Sequence, residues 1–207
     1  MINKLRYFPR WFTNSTFRVF LYSFGGCGTR MLHSFIEKYY LTNHQSNAHH
    51  GFVEKLRRGE RAIYLYGDPI NALKSFYRKE KENGNFLKLH AHNLRIKKEI
   101  PSTLQEYAMR GEDLFQLQAH FERYLNQNNR NYPMLIVNYE GIWKNLDSIL
   151  KYIDIRDKKK YFPARRSRKG DSFKLASDYE HKLYQIYKPM LSKIKKMPEV
   201  YVSNPKK

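Results

Sequence analysis

The chain has a single cysteine, Cys27, so it cannot form an internal disulfide framework, which excludes a small disulfide-stapled scaffold. It has no run of 18 apolar residues, so no segment is expected to cross a bilayer as a helix. Residues 1–12 are too short and too charged for a signal peptide, and the expectation is a soluble, cytoplasmic protein. The same basic, amphipathic start also suits contact with an anionic membrane surface. Carboxylates are scarce: 19 Asp and Glu stand against 39 Lys and Arg, for a formal net charge of +20. That field draws polyanions, although a charge run by itself also suits a merely solvated surface. A Walker A loop is missing too, because no Gly-Lys-Ser/Thr follows the glycines at 25–28, and this argues against a phosphotransferase using ATP.

What the chain does have is an apolar stretch over 17–23 that runs into Gly25, Gly26 and Gly28 and then into an amphipathic segment. The pattern predicts a strand, a glycine turn and a helix over 29–40. Glycines let backbone N–H groups approach an anion, and the first free N–H groups of a helix point at it. Thr29 adds a hydroxyl and Arg30 a planar cation. A tight strand-to-helix connection would use the same glycines. Cys27, inside the turn, reads either as an activated thiolate or as a small spacer.

Further along, 42–51 is polar and predicts a loop, or a short strand with a loop. A short helix is expected over 53–58, a strand over 61–66, and a helix from Asp68-Pro69 to about residue 82. Residues 84–100 read as an excursion outside the core. Helices are expected over 102–110, 112–128, 141–153 and 176–196, and a strand over 133–137. Strands separated by helices predict an α/β fold of three layers, a mostly parallel sheet with helices on both faces. The 207 residues fit one domain spanning 1–207, with an N-terminal extension over 1–16 and a basic tail over 197–207. Ligands of such sheets sit beyond the carboxyl ends of the strands, where the glycine turn falls. His90 and His92, with His44, lack the cysteines or acids of a metal set, and no metal is expected.

Four segments in this order resemble the P-loop-like sulfotransferase family, and together they cover most of residues 17–195. Gly28-Thr29-Arg30 with Leu32 matches the second half of the family's 5′-phosphosulfate loop. The run from Ala62 to Arg78 resembles its 3′-phosphate strand and helix, with Ser75 at the serine position. Residues 134–140 with 152–155 resemble its strand-Tyr-Glu-helix segment, and Arg168-Lys169-Gly170 its C-terminal basic loop. The resemblance implies the P-loop-like sulfotransferase architecture and 3′-phosphoadenosine 5′-phosphosulfate (PAPS) as donor, with 3′-phosphoadenosine 5′-phosphate (PAP) as product.

The acceptor would be a hydroxyl or amine on an anionic glycan or a small molecule. The implied cofactor contacts are Gly25, Gly26, Cys27, Gly28, Thr29, Arg30, Ser75, Arg168, Lys169 and Gly170. Arg30 would offset charge on the bridging oxygen, and His50 or His49 would take the acceptor proton. Two departures remove cations: Gly26 stands where the family carries a lysine, and Gly67 where it carries an arginine. Arg30, Lys74 and Arg78 are the candidate replacements. The alternative is a catalytically inactive descendant that binds nucleic acid or a glycan through its basic face.

Overall fold

Apolar runs without polar alternation build strands that are covered on both faces, and three of them form the centre of this sheet. The structure, a computed structural model, describes residues 18–43, 55–126, 128, 130–165 and 175–205. The strands are β1 (Arg18–Tyr22), β2 (Leu41–Thr42), β3 (Arg61–Tyr66), β4 (Met134–Asn138) and β5 (Val200–Ser203), in the order β2-β1-β3-β4-β5. All pairs are parallel except β4 with β5. Val19 to Tyr22, Ala62 to Tyr66 and Met134 to Val137 are buried throughout, so both faces of the central strands are covered. The α/β class and the mostly parallel sheet follow the expectation.

The helices are α1 (Thr29–Ile36), α2 (Pro69–Asn83), α3 (Phe86–Asn93), α4 (Leu104–Arg110), α5 (Leu117–Leu125), α6 (Leu146–Tyr152) and α7 (Ser177–Lys196). Tyr64 of β3 stacks on Tyr124 of α5 at 4.5 Å, and Tyr66 meets Phe121 of the same helix. α7 packs on α2, α4 and α5. Phe35 of α1 meets Phe162, which in turn meets Trp143. Asp68 caps α2 by accepting the Asn71 N–H at 3.0 Å, with Pro69 at the first turn.

The structure corrects several boundaries. The expected helix over 53–58 is coil and turn over its described part, residues 55–58, because Glu60 accepts the Arg57 N–H and Gly59 turns the chain. Residues 84–100 contain α3, whose Leu87, His90 and Ala91 are buried, so this stretch belongs to the core. The helix expected over 112–128 starts only at Leu117, where the Asp113 carboxylate accepts the N–H groups of Leu117 and Gln118. The helix over 141–153 shortens to α6, preceded by a 3-10 turn at Tyr139–Gly141.

The basic tail over 197–207 holds β5, an antiparallel edge strand. Its sequence gave no sign of this because β5 is short and only partly covered. Arg130 ties β5 down, donating to Ser203 O at 3.2 Å and Ser203 Oγ at 2.6 Å. At the other side of the sheet, the Asn43 side chain continues the pairing where β2 ends. It accepts the Leu21 N–H at 2.8 Å and donates to Leu21 O at 3.1 Å.

Candidate anion-binding site at the glycine loop

β1 ends at Tyr22 and α1 begins at Thr29, and the six intervening residues fold back on themselves. Ser23 organises the loop: its Oγ accepts the Gly25 N–H at 2.8 Å and the Thr29 hydroxyl at 2.7 Å. The buried Cys27 thiol donates to Leu65 O at 3.4 Å, so the 3.0 Å contact between Ser23 Oγ and Cys27 Sγ takes the serine proton. Cys27 thus pins the loop to β3.

Gly25, Gly26 and Gly28 have φ of 91°, 69° and 78°. Gly28 is the N-cap of α1 and supplies no side chain to it. The N–H groups of Gly26, Gly28, Thr29 and Arg30 have no acceptor among the described residues. Unpaired N–H groups at a helix start, following left-handed glycines, form a concavity of positive potential.

Position 26 has no room for a side chain. A Cβ on Gly26 would lie 2.7 Å from the Ala72 Cα of α2, so any side chain would collide with that helix. Position 67 faces the loop from the end of β3, and a Cβ there would lie 3.2 Å from the Cβ of Cys27.

Positive charge gathers from elsewhere. Lys74, a candidate replacement, is turned away into an ion pair with Glu180 of α7 at 2.7 Å. Arg78 pairs with Glu82 at 2.6 Å. Arg30 is exposed and has no ion pair among the described residues. Lys79 has none either; its Nζ lies 4.8 Å from the centre of the Phe86 ring. Burial lowers the Lys79 pKa below the usual lysine value, and the like charges of Arg30 and Arg78 lower it further. Ser75 is half-buried on α2, one turn beyond Ala72, and its hydroxyl has no partner among the described residues.

His90 packs against the glycine loop from α3. It is buried between Phe76 (4.2 Å) and Phe86 (5.3 Å), with Nε2 3.0 Å from Phe24 O, while His92 of the same helix is exposed. On the opposite side, the Tyr139 ring covers Gly28, and Trp143 meets that ring edge-on at 5.4 Å. Arg165 lies 5.6 Å from the Trp143 ring and pairs with Glu140.

Gly25, Gly26, Cys27 and Gly28 therefore lie in one loop, Thr29 and Arg30 open α1 directly after it, and Ala72 of the Ser75 helix is seated on Gly26. His49, His50, Arg168, Lys169 and Gly170 lie outside the described residues. Sequence reasoning missed Ser23, which carried no motif signal. Comparison with family models, curated proteins and solved structures gives no match for this chain.

Proposed function

We propose that the chain is a sulfotransferase that takes PAPS at the loop between β1 and α1 and serves a hydroxyl or amine acceptor. The observation that carries this reading is the set of N–H groups at Gly26, Gly28, Thr29 and Arg30 without an acceptor among the described residues, at the start of α1. Those donors suit the tetrahedral oxygens of a phosphate or sulfate. Arg30 adds a guanidinium, and Ser75 offers a hydroxyl for a second phosphate. The donor would bring a sulfuryl group activated by its bond to phosphate. The protein's task is then to hold and neutralise the phosphate that leaves, through preorganised N–H groups and cations. His49 or His50 is the proposed base for the acceptor.

The seating of Gly26 on α2, which excludes the family's lysine, favours a second reading: an inactive descendant that holds a polyanion on its basic face. Calorimetric titration of PAP, with ATP and AMP as controls at near-physiological salt, separates the two. The enzyme reading expects saturable binding that prefers the 3′-phosphate and weakens in Ser75→Ala. Equal, weak binding of all three nucleotides, or none, overturns it. Salt-dependent binding of nucleic acid or sulfated glycan would then support the second reading.

A further inference from the structure

We propose that the solvent face of α7 binds single-stranded nucleic acid, with a base stacked on Tyr184 and the phosphates following Lys188, Lys195 and Lys196. This face shares no residue with the glycine loop, so the proposal is independent of the PAPS reading, and it gives the second reading a location and a partner.

From His181 to Lys196 the helix has five lysines and no acid. Lys193 pairs with Glu122 of α5, and Lys182 Nζ sits 3.0 Å from Met109 Sδ of α4. Lys188, Lys195 and Lys196 are exposed and have no ion pair among the described residues. Other surface lysines are matched, Lys74 to Glu180, Lys98 to Glu112 and Lys159 to Asp147. The negative end of the helix favours Lys195 and Lys196, but that field fades within the last turn. Lys188 lies two turns earlier and gains nothing from it.

Leu183, Tyr187 and Met190 turn inward and set the opposite face toward solvent. Tyr184 and Lys188 are four residues apart and Lys188 and Lys195 seven, so the three form one stripe about 16 Å long. Tyr184 is 45% exposed, an aromatic ring that the core does not use. A ring in line with cations is the platform that single strands bind, because any base has a face to stack and the charges track the backbone. The bases of a duplex stack on one another and leave none for Tyr184. A sulfated glycan brings charge but no base. Beside the stripe, an open groove of about 480 Å³ between α5 and α7 is lined by Arg123, Asn126 and Lys193, among others. Arg123 has no ion pair among the described residues, and it continues the cationic surface onto α5.

Fluorescence anisotropy of a labelled oligothymidylate across a salt series tests this on the full chain, with a duplex and heparin as competitors. The variants are Tyr184→Ala, Tyr184→Phe and Lys188→Gln/Lys195→Gln. Lys88→Gln/Lys97→Gln removes the same charge from two exposed lysines on α3 and just beyond it. Circular dichroism checks each fold, and all five positions altered are exposed. Lys188→Gln/Lys195→Gln should weaken binding by at least about 10-fold and reduce the slope of log K against log salt by about 1.4, at about 0.7 per phosphate contact. Tyr184→Ala should weaken binding about 10-fold with the slope unchanged, and Tyr184→Phe should keep the affinity. Equal loss in the Lys88→Gln/Lys97→Gln protein would mean that only the general field attracts the strand, and overturns the α7 assignment. Binding that ignores the α7 variants also overturns it and leaves the second reading standing. Heparin binding without oligothymidylate binding overturns the nucleic-acid partner and leaves the second reading to a glycan. Selective PAP binding together with Tyr184-dependent strand binding keeps this proposal and removes the second reading.

Discussion

A Cβ built on Gly28 would lie 2.3 Å from Cε2 of Tyr139, so the tyrosine ring occupies the space that a side chain at position 28 would need. Gly28 also has φ of 78°, a left-handed conformation. Gly28→Ala should therefore cost about 1–3 kcal/mol of stability, from both strain and displaced ring. In a Tyr139→Ala background only the strain remains, so the cost should fall. Urea unfolding of the four proteins in this cycle measures the difference. Equal costs in both backgrounds would mean that the ring moves aside freely.

The Asp113 carboxylate joins three helices. It accepts the Tyr187 hydroxyl at 2.7 Å and the N–H groups of Leu117 and Gln118, while Tyr187 and Tyr107 share a 2.8 Å hydrogen bond. Tyr187→Phe removes one donor and should cost about 1–2 kcal/mol. Asp113→Ala also uncaps α5 and leaves a buried hydroxyl short of an acceptor, for about 2–4 kcal/mol. Chemical denaturation should rank Asp113→Ala as the more damaging. The reverse order would show that the tyrosine pair, rather than the cap, holds α4 and α7 together.

Arg130 is buried and donates to the carbonyls of Tyr124, Asn126 and Ser203 as well as to Ser203 Oγ. Replacing it with Met strands those acceptors, and the expected loss is about 2–4 kcal/mol. Hydrogen exchange should show the loss first at β5, since Arg130 connects that strand to the end of α5. Uniform loss across the sheet would argue against a local tie.

Raising the pH should unfold the protein cooperatively. Burial holds the hydroxyls of Tyr22, Tyr64, Tyr66, Tyr77, Tyr107, Tyr124 and Tyr187 above the usual tyrosine range, and raises Tyr132 to about 12. In the unfolded chain these groups ionise near pH 10. The folded state then keeps protons that the unfolded state loses, so stability is full below about pH 10 and falls as pH climbs past 12. Lys79 works in the other direction, since its lowered pKa makes folding slightly easier as pH rises, but one lysine is outnumbered by these tyrosines. A large part of the tyrosinate absorbance should appear together with loss of the helical circular dichroism signal. Ionisation of all 17 tyrosines with the helices intact would contradict this.

The sequence by itself determined the central strands, because the uninterrupted apolar runs at 62–66 and 134–137 can only be satisfied by cover on both faces. It also determined the start of α2 through Asp68-Pro69 and the glycine turn before α1, since capping and left-handed backbone are local demands. Partners distant in sequence were decided only by the tertiary structure. β5 exists because Arg130 and the open edge of β4 wait for it, which nothing in Val200–Ser203 announces. α3 joins the core because Phe76 and Phe86 enclose His90, although its polar residues read as surface. The charges of α2 look alike in sequence. Glu180 and Glu82 claim Lys74 and Arg78, while Lys79 lies over the Phe86 ring. The absence of a side chain at position 26 was visible as a glycine. Its cause, the approach of Ala72, was set by how α2 packs, because steric exclusion between segments 46 residues apart leaves no local trace.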